Sequence, residues 1–187
     1  MEQLMTEKEA IVALGSKLFS NTNSNIPQEE RLREALRLVG RQGLTEELMR
    51  ILLRELRKIL AVDHFSPAYI NVLREEIAST GVLIQLMSGA CPDDMRQLAW
   101  IMVNLSGLPG ETVWFMCEQY GLLEGVLWGV QQYTGLLADA RRRYEDMIVV
   151  GPVMDMMSEE IRKQSILMKI IEDLLWSLIN ALIDDKQ

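Results

Sequence analysis

Helix-type apolar periodicity recurs along most of this 187-residue chain and is interrupted at short intervals by proline or glycine. Leu, Met, Glu, Arg and Ala are abundant and β-branched runs are short, so the composition favours helix over sheet. The pattern therefore predicts an all-α fold. The predicted helices cover residues 28–39, 45–61, 67–79, 82–89, 93–106, 111–120, 121–135, 137–148 and 152–183.

The breaks between the predicted helices fall at residues that commonly end or begin helices. The last predicted helical range, 152–183, is expected to divide into two helices near Met157 and Ser158, because Ser158 followed by two acids is a typical helix start. A helix at 4–19 and a polar linker before Pro27 make residues 1–26 an N-terminal segment, and residues 27–187 are expected to form one helical repeat domain. The breaks lie near Gly43, Pro67, Gly81, Pro92, Pro109, Gly121 and Gly151.

Two similar helix–glycine–helix segments indicate an internal repeat. Residues 74–87, REEIASTGVLIQLM, are similar to residues 115–128, FMCEQYGLLEGVLW, and their glycines, Gly81 and Gly121, are 40 residues apart. Gly43 precedes Gly81 by 38 residues. Periods of this length are typical of helical solenoids, in which glycine permits a tight turn between two helices. We therefore expect stacked helical repeats.

A tryptophan precedes an asparagine by four residues at two places in the chain. The pairs are Trp100 with Asn104 and Trp176 with Asn180, and residues four apart share one face of an α-helix. An asparagine amide both donates to and accepts from the backbone of an extended peptide. Tryptophan rings can hold the aliphatic stems of Lys or Arg and attract their charged ends. The pairs are thus candidate peptide-binding residues, and packing in the core is the alternative.

These features resemble armadillo repeats, and within them the importin-α type, most closely over residues 71–130. The family's third helix carries Trp-Ala-Leu-x-Asn before a loop similar to Ala-Ser-Gly, and LAWIMVNLSG at residues 98–107 is similar. The resemblance implies a right-handed armadillo- or HEAT-like solenoid of about three to five repeats, with a concave groove for a partner peptide. By resemblance, the groove has one pocket at Trp100, Asn104, Gly107 and Thr112, and another at Trp176 and Asn180.

The chain also departs from the importin-α pattern. If Gly121 begins the next repeat, Ala140 and Tyr144 occupy the places where the family has Trp and Asn, so the row of pockets is interrupted. A chain of 187 residues is also much shorter than an import receptor of about ten repeats. The resemblance therefore implies a reduced or divergent relative.

The charge of the chain indicates a protein partner rather than a nucleic acid. Twenty-seven acids and nineteen bases give a formal net charge of -8, whereas phosphates need neutralising cations. Local basic residues such as Arg33 and Arg37 alternate with Glu30 and Glu34, as on a solvated helix face. A basic segment of another protein is the partner that this charge favours.

No enzyme chemistry is indicated. His64 is the single histidine, and no nucleophile, phosphate loop, cofactor motif or metal-ligand spacing accompanies it. Cys91 and Cys117 lack the spacing of a zinc site or of a disulfide framework. We also expect no membrane span and no signal peptide, which places the protein inside the cell, in the cytoplasm, the nucleus or both.

Two functions remain open. The first is a non-catalytic protein–protein interaction module that binds a partner segment, such as a basic nuclear-localisation-like peptide, in a concave groove. The second is a structural subunit that self-associates, or joins a larger complex, through the apolar terminal helix containing LLWSLINALI. A homo-oligomer is compatible with the second function, and the molecular mass in solution discriminates between the two.

Overall fold

A computed structural model describes residues 26–40, 44–61, 66–150 and 154–182 of the chain. Within these ranges every regular element is a helix, which confirms the predicted all-α class. The predicted first helix and linker up to residue 25, together with Gly43 and His64, lie outside the described residues. The helices are α1 (Gln28–Val39), α2 (Glu46–Leu60), α3 (Pro67–Glu75), α4 (Ile77–Leu86), a 3-10 turn (Met87–Gly89), α5 (Pro92–Ser106), α6 (Gly110–Tyr120), α7 (Leu122–Val150) and α8 (Met154–Leu182).

Several helix ends lie where side-chain chemistry places them. The hydroxyls of Thr45 and Ser66 accept hydrogen bonds from the first turns of α2 and α3, and each replaces a bond that those N–H groups cannot make within the helix. Pro92 stands in the first turn of α5, where a missing N–H costs nothing. Gly121 ends α6 with a left-handed φ of 66°, so the predicted glycine break is confirmed there.

Two predicted breaks in the second half of the chain are wrong. Residues 122–148, predicted as two helices, belong to one continuous helix, α7, because Tyr133, Leu137 and Ala140 continue a single buried face past Gly135. Likewise, α8 does not divide at Ser158. The Ser158 hydroxyl donates to the Met154 carbonyl at 2.9 Å, so Ser158 lies inside the helix rather than capping it.

The predicted break at Gly81 is also misplaced. Gly81 lies inside α4, and the turn between α3 and α4 falls at Glu76 instead. The Glu76 carboxylate accepts a 2.8 Å hydrogen bond from Arg37 Nε, while its N–H donates to the Val72 carbonyl. A salt bridge from α1 thus contacts the chain at this turn, and the sequence around Gly81 alone does not contain that information.

The chain forms two compact units, Met1–Val82 and Leu83–Gln187, whose boundary lies within α4. The predicted domain over residues 27–187 therefore contains parts of both units. In the first unit, α1 packs against α2 and α3, with Leu32, Leu36 and Leu56 fully buried. The basic face predicted on α1 is paired as expected, because Arg33 and Arg37 form salt bridges with glutamates on α1 and at the end of α3.

The Ile59 carbonyl, in the last turn of α2, joins the helices of the first unit. It accepts a hydrogen bond from Gln28 Nε2 of α1 at 3.3 Å and another from the Tyr69 hydroxyl of α3. Burial raises the pKa of the Tyr69 phenol, so this hydroxyl stays a donor far into the alkaline range. A carbonyl without a partner inside its own helix is thereby satisfied.

In the second unit, α8 packs along both α7 and α5. Helices α7 and α8 are antiparallel, since Gln164 Nε2 donates to the Ala140 carbonyl at 3.3 Å and Arg143 pairs with the largely buried Glu160. The Tyr133 hydroxyl of α7 donates to the Ala90 carbonyl before α5 at 3.0 Å, and burial raises its pKa to about 12. The core of this unit thus lies between α5, α7 and α8.

Gly129 of α7 lies close to side chains of both α5 and α8. A methyl group at this position would lie 2.9 Å from Leu174 Cδ1 of α8 and 3.5 Å from Met95 Cε of α5. By contrast, a methyl group at Gly135, later in α7, would meet no described neighbour within 4 Å. A side chain at Gly129 would therefore displace Leu174 or its neighbours, whereas a side chain at Gly135 would not meet another helix.

Candidate protein-interaction surface

Trp100 and Asn104 lie one turn apart on α5, and both side chains are half-buried. Asn104 Nδ2 donates to the Trp100 carbonyl at 2.8 Å, so one N–H of the amide is already used within the helix. Gly107 is exposed and ends α5 with ordinary helical φ and ψ angles. Thr112 is buried in the first turn of α6, where its N–H donates to the Pro109 carbonyl. A pocket formed by these four residues stays a prediction.

The second predicted pair, Trp176 and Asn180, lies on α8. Trp176 is 56% exposed, and Asn180 is half-buried one turn later on the same side of the helix. An indole ring of this exposure has a face in solvent and does not contribute its full area to the core. Of the two predicted pairs, this one presents more aromatic surface to a partner.

A larger exposed feature extends from the apolar segment LLWSLINALI toward the start of α8. Eight large apolar side chains on α8 are between 40% and 76% exposed. Six of them lie together on one side of the helix, and five of these six follow one another at intervals of seven residues. We call this set of six the α8 stripe. It consists of Met154, Ile161, Met168, Leu175, Ile179 and Leu182.

The α8 stripe lies on a different side of the helix from the buried face. At 3.6 residues per turn, the six positions fall within an arc of about 80°. The fully buried Leu167, Ile170 and Leu174 point about 120° away, toward the core of the second unit. The apolar surface of α8 is thus wider than the surface that its own unit covers, and an ordinary surface helix has polar residues there.

The cations beside the α8 stripe are paired within the same helix. Arg162 Nη2 lies 2.9 Å from Glu159 Oε1, and this contact lowers the pKa of the Glu159 carboxyl. Lys169 Nζ lies 3.0 Å from Asp173 Oδ1 and 3.5 Å from Glu172 Oε2, and the hydrogen bond to Asp173 raises the pKa of Lys169. The apolar row is therefore bordered by neutralised pairs rather than by single charges.

Other exposed apolar side chains do not form such a row. On α7, Leu127, Leu136 and Ile148 are 42–53% exposed. Leu136 lies on the opposite side of the helix from Leu127, and Leu127 and Ile148 are 21 residues apart with the exposed polar Thr134 and Arg141 between them. Isolated exposed apolar residues are normal on protein surfaces, whereas a continuous row is not. The three α7 residues are therefore useful controls for the stripe.

No group of three or more His, Cys, Asp or Glu in the described ranges is placed to hold a metal ion. Cys91 and Cys117 are both free thiols, and burial raises the pKa of the Cys117 thiol, which makes it a weaker nucleophile at neutral pH. Among the helices described, none is long and apolar enough to cross a membrane.

The fold and surface define an all-helical protein with an uncovered apolar helix face. Comparison with protein-family models, with curated proteins and with solved structures gives no match for this chain.

Proposed function

We propose that this protein is a non-catalytic protein–protein interaction module whose binding surface is the α8 stripe. The observation that carries the proposal is the row of six large apolar side chains, each at least 40% exposed, on one side of a 29-residue helix. Contiguous apolar surface of this kind is typical of protein interaction sites. The proposed setting is inside the cell.

The chemistry of the stripe indicates the kind of partner surface that it binds. Apolar residues at seven-residue intervals are the pattern with which one helix packs along another. Each side chain that moves from half-exposed to buried contributes roughly 1 kcal/mol, because full burial contributes about 1.5–3 kcal/mol. A helix with its own apolar row is therefore the proposed counterpart.

Replacing Ile161, Leu175 and Ile179 together by Gln is expected to abolish partner binding without unfolding the protein. These side chains are 42–52% exposed, so the substitutions remove apolar contact area while changing stability by roughly 0.5 kcal/mol each. Binding is measured by affinity capture from cell extract with quantitative mass spectrometry, and by sedimentation of the purified chain. Circular dichroism checks that the helix content is retained.

The matched control replaces Leu127, Leu136 and Ile148 by Gln. These α7 residues have a similar size and exposure but do not form a row. The control variant is expected to bind as the wild type does. Equal loss of binding in both variants, or full binding by the stripe variant, would exclude the stripe as the interaction surface.

A groove for an extended basic peptide is the second candidate, and the exposed Trp176 ring beside Asn180 favours it. In this proposal the chain is a short, divergent armadillo-type solenoid of about three to five repeats, similar to importin-α. The net charge of -8 supports a cationic partner. Trp100, Asn104, Gly107 and Thr112 belong to the same proposed groove.

In the groove proposal, Trp176→Ala is expected to lower the affinity for a Lys- and Arg-rich peptide by roughly 2- to 30-fold. This is the range that the loss of one cation–π contact produces. Isothermal titration calorimetry at two salt concentrations measures the change, and affinity should fall with salt. Trp114→Ala is the control, since Trp114 is 65% exposed but lies on α6. Salt-independent binding, or equal effects of both substitutions, would contradict a basic peptide groove.

A further inference from the structure

We infer that the partner of the α8 stripe is the same stripe on a second copy of this chain, with the two α8 helices antiparallel and Met168 at the two-fold axis. This inference rests on the proposed function, because it takes the stripe as the interaction surface. It adds the identity of the partner, the orientation and the register. The spacing, the charges and the area of the stripe each support it.

The spacing of the stripe is symmetric about Met168. Ile161 and Leu175 lie seven residues to either side, and Met154 and Leu182 lie fourteen residues to either side. A two-fold axis at Met168 therefore places Ile161 against Leu175 of the second copy, and Met154 against Leu182. A symmetric dimer needs a patch that is complementary to itself, and every heptad level of this row meets an apolar partner.

The residues beside the row favour the antiparallel orientation. Ser158, Ser165, Glu172 and Ile179 form the adjacent row, each four residues after a stripe position. In a parallel pair in register, Glu172 would face Glu172 of the second copy, a contact between like charges that the Lys169 ion pair at 3.5 Å reduces but does not remove. In the antiparallel pair Glu172 lies within about one residue of the level of Ser165, whose hydroxyl can donate to it.

The remaining charges at this surface do not oppose the contact. Arg162 and Lys169 flank the row. In the antiparallel pair Lys169, one residue from the axis, approaches Lys169 of the second copy, whereas Arg162 comes level with Leu174 of the second copy. Both cations already have acidic partners within their own helix, at 2.9 Å from Glu159 and 3.0 Å from Asp173. Two neutralised pairs repel each other much less than two bare cations.

The area of the stripe matches a small dimer interface. Six half-exposed side chains of this size present roughly 100 Å² each, or about 600 Å² per copy, and a specific interface buries about 600–1,000 Å² per partner. Two copies would thus reach the lower end of the range for stable association. Trp176, 56% exposed at the edge of the row, enlarges the surface that the second copy can cover.

Sedimentation of the full chain and of one axis variant tests the association. The wild type is expected to form dimers with a dissociation constant in roughly the micromolar range. Met168→Glu should raise that constant about tenfold or more, because it brings two carboxylates together at the axis. Leu136→Glu, a control of matched exposure on α7, should leave it unchanged.

Chemical cross-linking tests the orientation. Cys91 and Cys117 are replaced by Ser, and single cysteines are then introduced for reaction with a short bis-maleimide. Met168→Cys should cross-link with itself. Ile161→Cys should cross-link with Leu175→Cys in a mixture of the two variants, and much less with itself. Self-linking of Ile161→Cys as strong as that of Met168→Cys would overturn the antiparallel register.

The outcomes separate this inference from the proposed function. A chain that stays monomeric at its highest soluble concentration overturns the dimer. If that monomer still captures another protein through the stripe, and loses it in the Gln variant, the proposed interaction surface remains and only the second copy is excluded. A monomer whose capture does not depend on the stripe overturns both.

Discussion

Ending the chain before Ile170 is expected to unfold the unit Leu83–Gln187. The truncation removes the half of α8 that carries Ile170 and Leu174, both completely buried against the rest of the unit. Each side chain contributes about 1.5–3 kcal/mol on burial, so the two together approach the 5–15 kcal/mol by which a typical protein is stable. The apolar faces of α5 and α7 would be left exposed, and aggregation should follow.

Circular dichroism, thermal unfolding and light scattering of the truncated chain measure this effect. A chain that ends after Leu182 is the control, because it retains all of α8 and should melt as the wild type does. A soluble truncated protein with the melting temperature and the per-residue helix content of the full chain would contradict the packing described for α8.

Gly129→Val is expected to lower the free energy of unfolding by about 1–3 kcal/mol, as overpacked core substitutions do. A single methyl group at Gly129 already comes within 2.9 Å of Leu174 Cδ1, and valine adds two more carbons between three helices. Leu174 is completely buried, so it has little room to move aside. The helices must separate or the side chains must leave their preferred rotamers.

The matched control is Gly135→Val in the same helix. No described neighbour lies within 4 Å of that position, so this variant should remain within about 0.5 kcal/mol of the wild type, helped by the slightly better helix propensity of valine. Urea denaturation of both variants gives the comparison. Equal stabilities would show that α5, α7 and α8 do not approach closely at Gly129.

The helical fold was predictable because its signals are local. Apolar periodicity identified α1 with the same bounds that the structure shows, and Gly121 was correctly read as the end of α6. The glycines that failed as breaks depend on tertiary contacts instead. Gly135 stays helical because residues on both sides of it continue one buried face, and the turn assigned to Gly81 lies at Glu76, which Arg37 of another helix contacts.

The candidate surface was less predictable from the sequence. Trp176 and Asn180 were identified because pairs four residues apart are visible without a structure. The apolar segment LLWSLINALI at the end of α8 was identified as a self-association surface, but its continuation to Met154 as the α8 stripe was not. An apolar residue every seven positions also fits a helix that is buried on that side. Only the packing of Leu167, Ile170 and Leu174 against the second unit's core shows that the stripe is left exposed. The helix therefore has two apolar sides, and sequence periodicity does not say which one is covered.

The Ile59 carbonyl has a consequence for how the first unit tolerates mutation. The acceptor that ties α1 and α3 to the end of α2 belongs to the main chain, so no side-chain replacement at Ile59 deletes it as long as α2 remains helical. Its two donors, Gln28 and Tyr69, come from different helices, and loss of either one leaves the other in place. The carbonyl thus keeps one hydrogen bond when either donor is lost, and it is present whatever side chain stands at position 59. Side chains at the end of α2 can therefore vary without separating the three helices.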